Sequence, residues 1–474
     1  MARTVASFII VPNEYFPKIV KEGEGGDEKM PHIEIFSTIS FFKNKLDGID
    51  IRYINFPILF SGKSSISVFL RRLNHAEMAL KIQELMFKFI IKSDCYIMYI
   101  PLWSENLGPS AKLAQLLKKS YPDSKMILMG PCCKLYPKEI LTQFNIFDFI
   151  ITSEPETALL KIISGTNIEN IANIAYRKRK AVCVHKEKPL DLWNIKHKLD
   201  YCAHLSFLRK YKFPFPEFLY FETSRGCKYN CFFCSLLTAR KLRFKKPGFV
   251  IKELGKIVKD SGIRNFYFVD NELNFDNKYL ETLMDKIISA RLNIRWSSYM
   301  VAKGLNERVL SKMHHAGCIH IRWGIETANP SRQRIISKRL DLNEVAAILK
   351  AARISGIRNQ AAFTVGYPYE CQLDVDLTTK FLENNRENLD CVNVYKFKPR
   401  RNSIVFRNPG AFGIEILSAQ DSFWKDDMPF SETKGLDWHL KKGQQAYYAK
   451  ILEERIKALN LKNIDPEIYF KRLL

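Results

Sequence analysis

Apolar residues in the first ~190 positions come in short blocks, alternating with stretches where they recur at helical spacing. SDCYIMYIPLW (93–103) reads as a buried strand running into a polar loop. The next stretch, LGPSAKLAQLLKKSYPDS, places Leu113, Leu116 and Leu117 at helical spacing. KMILMG (125–130) is a second short strand closed by Gly130, and LYPKEILTQF reads as a helix. FDFIITSE (147–154) is a further strand, and PETALLKIISG a helix stopped by Gly165. Such alternation predicts an open parallel α/β sheet, which binds ligands where strand C-termini meet loops. Those loops are 103–109, 130–134 and 153–156.

The pattern breaks between 166 and 215, where ANIAYRKRKAVCVHKEK reads as a small hairpin and KYKFPFPEF as a connector. Alternation resumes at Phe218, with strands expected at 218–224, 264–270, 294–300, 318–326, 361–367 and 391–397. Helical stretches such as GFVIKELGKIVKDSG and LNEVAAILKAARISG separate them. Six strands joined by five crossover helices predict a partial, open (β/α)6 barrel rather than a closed eight-fold one. The expected organisation is an α/β domain over 1–190, a connector over 191–215, the barrel over 216–400, and a small, largely helical C-terminal region over 401–474.

Composition narrows the class. With 46% hydrophobic and 26% charged residues in 474, the chain is neither disordered nor a membrane bundle. No apolar run reaches the ~18 residues of a spanning helix. MARTVASFIIVPNEYFP lacks a signal-peptide layout, so the cytoplasm is the expected compartment. Seventy-four Lys plus Arg against fifty Asp plus Glu leave a net charge of +24. That charge fits an anionic substrate or nucleic acid, and equally a solvated basic surface. Of the basic runs Arg177–Lys180, Arg240–Lys246 and Lys396–Arg401, the last two lie near the expected rim of the barrel.

The chemistry concentrates in FETSRGCKYNCFFCS, which sets Cys227, Cys231 and Cys234 just after a strand. Among eleven cysteines in a chain without an export signal, clustered thiols are metal ligands or catalysts before they are disulfides. Structural zinc takes four ligands. Here Cys234 and His314 are separated by neither Cys nor His, and upstream the nearest are Cys202 and His204. Three thiolates in one tight loop instead suit a [4Fe-4S] cluster, each holding one iron and leaving one open.

SRGCKYNCFFC resembles the cluster loop of the radical S-adenosylmethionine (SAM) superfamily, with the aromatic Phe233 before the third cysteine. VDNELNFD (269–276) is similar to the acidic segment ending the second barrel strand of that superfamily. AGCIHIRWGIETANPSRQRIISKR resembles its fourth-strand G-I-E-S-G segment followed by a Lys, and FTVGYPYE its fifth-strand G-F-P-G-E segment. The resemblance covers about 216–400 and implies that SAM is bound at the open iron and cleaved to a 5′-deoxyadenosyl radical. It places SAM beside Phe233, Asp270, Asn271, Glu326 and Gly366. Asp270 and Asn271 would accept from the SAM ammonium or ribose, or else form a strand-end turn. Glu326 would meet SAM or pair with Arg322 on the same strand face. Gly366 would let backbone approach the adenosine.

The N-terminal α/β unit ahead of such a barrel resembles the cobalamin-binding subclass. MGPCCKLYPKEILTQFNIFDFIITSEPETAL is similar to the G-G-P-H … P-E-E … D-F-V-V-x-G-E-G-E segment of that subclass, with Met129–Gly130 and Ser153–Glu154–Pro155–Glu156 replacing glycine-bearing pairs. Ser104, Gly130 and Glu154 are the expected cobalamin contacts. The function implied is a cobalamin-dependent methyltransferase acting at an unactivated carbon or phosphorus centre, fed by a flavodoxin- or ferredoxin-type electron donor. Alternatives are a corrinoid-free radical SAM oxidase, cyclase or rearrangement enzyme whose N-terminal domain serves docking, and a non-catalytic metal-containing nucleic-acid-binding protein. Methylthiolation of tRNA would need three more cluster cysteines, an arrangement that Cys95, Cys132, Cys133 and Cys183 do not form.

Overall fold

Continuous apolar runs can be buried only where both faces of a strand are covered, and the N-terminal part builds its sheet from such runs. The computed structural model describes residues 4–12, 32–60, 70, 72–73, 75–101, 106–194, 199–235, 240–417 and 428–474. In it β1 (Val5–Ile10), β2 (Asp50–Asn55), β3 (Cys95–Tyr99), β4 (Lys125–Met129) and β5 (Phe149–Ile151) run parallel. The hairpin of β6 (Ile174–Lys178) and β7 (Ala181–Val184) continues the sheet antiparallel, in the order β2-β1-β3-β4-β5-β6-β7. All of β3 is buried. From β1 the chain goes to one neighbour, β2, and then crosses to the other, β3. The switch point of the sheet therefore lies at the C-terminal ends of β1 and β3. The strand expected over 147–154 is confined to Phe149–Ile151, because Glu154 already caps helix Pro155–Ile163.

By contacts the described residues form two compact units, one taking in those up to 191 together with 199–216, the other 192–194, 217–235 and 240–474. Residues 199–216, within the stretch expected as a connector, fall in the first unit. Helix Cys202–Lys210 buries His204, Leu205, Phe207 and Leu208 within the first unit. His204 Nδ1 lies 3.3 Å from the Tyr53 hydroxyl. The basic run Arg177–Lys180 also has local work, since Arg177 donates to the carbonyls of Leu141 at 3.0 Å and Asn145 at 2.6 Å.

The second unit contains β8 (Leu219–Phe221), β9 (Ser224–Arg225), β10 (Arg243–Phe244), β11 (Asn265–Phe268), β12 (Arg295–Met300), β13 (Cys318–Glu326), β14 (Arg358–Val365) and β15 (Cys391–Lys396). Six of them form one parallel sheet in the order β8-β11-β12-β13-β14-β15, with helices Pro247–Ser261, Asn277–Ser289, Glu307–His315, Leu342–Ile354 and Gln372–Asn384 as crossovers. β8 and β15 stay as edges, the open partial barrel that the pattern predicts. β14 begins earlier than expected because buried Asn359 and Gln360 find internal partners, and ends at Val365 because Gly366 turns the chain at φ 82°.

The C-terminal region adds helices Trp438–Ala458 and Pro466–Leu473 and a small antiparallel pair, Ile414–Ile416 with Phe430–Glu432. Helix Pro466–Leu473 sits across the strand beginnings. Phe470 packs on Phe218 at 5.3 Å and Tyr469 on His320 at 5.3 Å, and Arg295 donates to the Leu473 carbonyl at 2.7 Å. That leaves the C-terminal ends of the barrel strands for chemistry. No helix among the described residues is long and apolar enough to cross a membrane.

Candidate cluster and cofactor site

The cysteine loop is tied at its base by β9 and β10, which pair antiparallel with Arg225 opposite Arg243. Gly226 adopts φ 89°, and a Cβ there would lie 2.4 Å from the Lys241 carbonyl oxygen, so only glycine fits. Cys227 N–H donates to the Arg240 carbonyl at 3.2 Å, and Cys234 N–H to that of Cys231 at 3.1 Å. Phe232 anchors the loop from inside, stacked on Phe412 at 4.9 Å and packed on Tyr367 and Phe397.

Cys227, Cys231 and Cys234 all line one cavity of about 250 Å3, with Phe233, Arg240, Asn271, Tyr299, Arg322, Glu326 and Lys338. Among the described residues no three His, Cys, Asp or Glu side chains converge on a point that would hold a single metal ion. Thiolates bound to different irons must surround a volume, and the three thiols here line one cavity. Burial pushes all three thiols up, Cys231 to about 12, and Lys338 pulls Cys231 back. Ligation therefore displaces protons from the thiols.

Glu326 ends β13 at a bulge in its pairing with β14 and holds a left-handed φ of 71°, a conformation that costs a non-glycine residue of order 1–3 kcal/mol. Its carboxylate accepts from Lys338 Nζ at 2.7 Å and from Thr364 Oγ1 at 3.2 Å. The alternative of a Glu326–Arg322 pair is therefore not realised. Both face the cavity, but the cation on Glu326 is Lys338, which the sequence offered only as the Lys following the fourth-strand segment. Burial opposes the charge of Lys338, yet Glu326 and the neighbouring Cys231 outweigh it and hold its pKa above the ordinary value.

The other sequence-derived residues divide. Phe233 and Asn271 line the cavity, and Asn271 Nδ2 donates to the Gly226 carbonyl at 3.3 Å. Asp270 does not line it; fully buried, it accepts from Thr223 N–H at 3.2 Å, Thr223 Oγ1 at 2.7 Å and the Ser224 hydroxyl. It thereby fixes the chain between β8 and β9. The close approach at Gly366 comes from Gln445 of helix Trp438–Ala458, whose side chain occupies the space of the missing Cβ and donates to the Phe397 carbonyl at 2.9 Å. In the N-terminal unit, Gly130 (φ 112°) faces the Ile100 carbonyl oxygen, which a Cβ would meet at 2.3 Å. Glu154 is buried and accepts from Leu190 N–H at 2.7 Å. Ser104 lies outside the described residues.

Beside this turn, Glu370 accepts from Gly366 N–H, and burial pushes its carboxyl up to about 7. The folded state therefore binds a proton that the unfolded chain releases near 4.5, so its stabilisation is lost as pH rises from about 4.5 to about 7. Glu370→Gln is expected to match wild type at pH 4 and to unfold later than wild type at pH 8, by about 3 kcal/mol at most. Paired thermal melts at the two pH values check this.

Residues 221–382 match the family model of the radical SAM superfamily, and the chain carries a domain of that superfamily. It is 25% identical over 62% of its length to an uncharacterised methyltransferase of Pyrococcus horikoshii, and 24% identical over 62% to the anaerobic magnesium-protoporphyrin IX monomethyl ester cyclase of Rubrivivax gelatinosus. These matches span 65% and 55% of the relatives' own lengths. Among solved structures, that of OxsB, a cobalamin-dependent SAM radical enzyme with aqua-cobalamin and SAM bound, aligns with 99% of this chain and 70% of its own. The TM-score is 0.70 at 13% identity, a likeness of fold.

Proposed function

We propose that the chain is a radical SAM enzyme in which Cys227, Cys231 and Cys234 hold a [4Fe-4S] cluster with one iron open to SAM. We further propose that its N-terminal unit carries a cobalamin, for methyl transfer to an unactivated carbon or phosphorus centre. The observation that carries the reading is the single cavity in which the three thiols face Glu326, Lys338 and Asn271. When bound, the cluster supplies an electron to the SAM sulfonium and the corrinoid a carrier for methyl groups. Arg240 and Lys338 offset the negative charge of the thiolates, and Lys338 fixes the Glu326 carboxylate toward a bound nucleoside. Phe233, Met300, Val301 and Ala362 line the same cavity and exclude water from it. A low-potential donor of flavodoxin or ferredoxin type is the proposed reductant.

Support for the corrinoid comes from the parallel sheet ahead of the barrel and from the likeness, along nearly the whole chain, to an enzyme that binds one. A corrinoid-free enzyme is the second reading, favoured by the structural work already assigned to Gly130 and Glu154. Anaerobic reconstitution with iron, sulfide and hydroxocobalamin, then desalting and metal counting, separates them. About four irons, one cobalt and 5′-deoxyadenosine formation on reduction with SAM are expected. Four irons without cobalt select the second reading, and zinc without SAM cleavage overturns both.

A further inference from the structure

We infer that Arg322 is the anchor for an anionic group of the substrate, a carboxylate or a phosphate, an assignment that rests on the radical SAM reading of the cavity. Along β13, residues 322, 324 and 326 share one face, and all three line the cavity. At about 3.3 Å per residue, Arg322 lies about 13 Å from Glu326 along the strand, toward the barrel floor. It is therefore displaced along the strand from Glu326 within the same cavity.

The guanidinium is held in a definite place. It donates to the Tyr299 hydroxyl at 2.7 Å and to the Tyr395 hydroxyl at 2.7 Å. It also stands over both rings, 4.8 Å and 5.2 Å from their centroids. The two phenol oxygens take one donor each from Nη1 and Nη2, and three of the five N–H groups of the planar fork remain for an oxyanion. The surrounding Met300, Val301 and Ala362 make a charge there cost more to leave bare, and an ion pair worth more to form.

Charge balance singles this residue out. Lys338 is taken by Glu326 and the Gly324 carbonyl, and Arg240 donates to the Cys234 carbonyl at 3.0 Å. Among the described residues, no acidic side chain comes within ion-pair distance of Arg322. A neutral or cationic substrate would leave the guanidinium with phenols alone, whereas an anionic one completes it.

The test uses reconstituted, SAM-loaded protein in equilibrium dialysis against radiolabelled inorganic phosphate and, separately, acetate, at low ionic strength. One saturable site is expected for at least one anion. Its affinity is expected to fall about ten- to a hundredfold in Arg322→Gln, the loss of one charge-assisted hydrogen-bonding group. In Arg322→Lys, which keeps the charge without the planar fork, the fall is expected to be smaller. Saturation by phosphate alone marks a phosphoester substrate, and by acetate alone a carboxylic acid. No saturable site in wild type, or an affinity unchanged in either variant, overturns the inference. Iron content and 5′-deoxyadenosine are measured on the same wild-type sample. If both are normal, a negative dialysis result refutes only the role of Arg322; if both are absent, the reading of the cysteine loop fails first.

Discussion

Alanine at Cys227, Cys231 or Cys234 is expected to abolish 5′-deoxyadenosine formation and to strip iron from the reconstituted protein, while the N-terminal unit stays folded. The loop offers no replacement ligand, since no His lies near it in sequence and the carboxylate nearest Cys227 belongs to Glu272, 3.8 Å from its sulfur and ion-paired with Lys228. Removing a C–H hydrogen that no side-chain base is strong enough to take leaves no ordinary acid–base route for residual turnover. The structural cost of the change is small by comparison. Cys231 sits in the buried cluster with Phe232 and Tyr367, and removing one sulfur there costs about 1 kcal/mol. Circular dichroism and a melting curve on the apo variants therefore separate loss of the cluster from loss of the fold. Intact SAM cleavage in any one variant would sink the assignment.

The six barrel strands and the cysteine loop could be read along the chain because each is encoded locally, by a run of apolar residues or by three spaced thiols. β13 is the clearest case: Cys318–Glu326 was expected at its observed ends, since apolar and polar positions alternate down to the bulge at Gly324. What could not be read depends on partners brought from far along the chain. Asn359 counts as polar in any pattern, yet it is buried as an acceptor for Trp323 Nε1 at 2.8 Å and a donor to the Asn388 carbonyl at 2.8 Å. Gly366 marks a close approach, as its sequence implied, but the group that approaches is Gln445, 79 residues later. Asp270 lies two residues beyond the strand Asn265–Phe268, and its oxygens accept from Thr223 and Ser224. The second strand escaped the pattern for a different reason. Asp50–Asn55 is an edge of its sheet with only Tyr53 and Asn55 buried, so its apolar signal is weak.

Lys338→Met is expected to cost both stability and SAM cleavage, and the two losses have different origins. The Lys338–Glu326 pair is about 12% exposed at each side chain, 2.7 Å apart, and Lys338 also donates to the Gly324 carbonyl at 2.9 Å. Methionine fills a similar volume but leaves Glu326 as a nearly buried carboxylate with only Thr364 Oγ1 to donate to it. Removing one partner of a buried pair costs about 3–5 kcal/mol, and residual solvent access places this case near the lower figure. The unpaired carboxylate also has less reason to keep its strained φ of 71°, so it is expected to swing out of the geometry that meets the nucleoside. Adding Glu326→Gln to Lys338→Met removes the unpaired charge, so the double variant is expected to regain most of the lost stability and none of the activity. Denaturant unfolding and 5′-deoxyadenosine formation on the two single variants and the double complete the cycle. If Lys338→Met alone proved as stable as wild type, solvent would be screening the pair, and its role in holding Glu326 would fall with it.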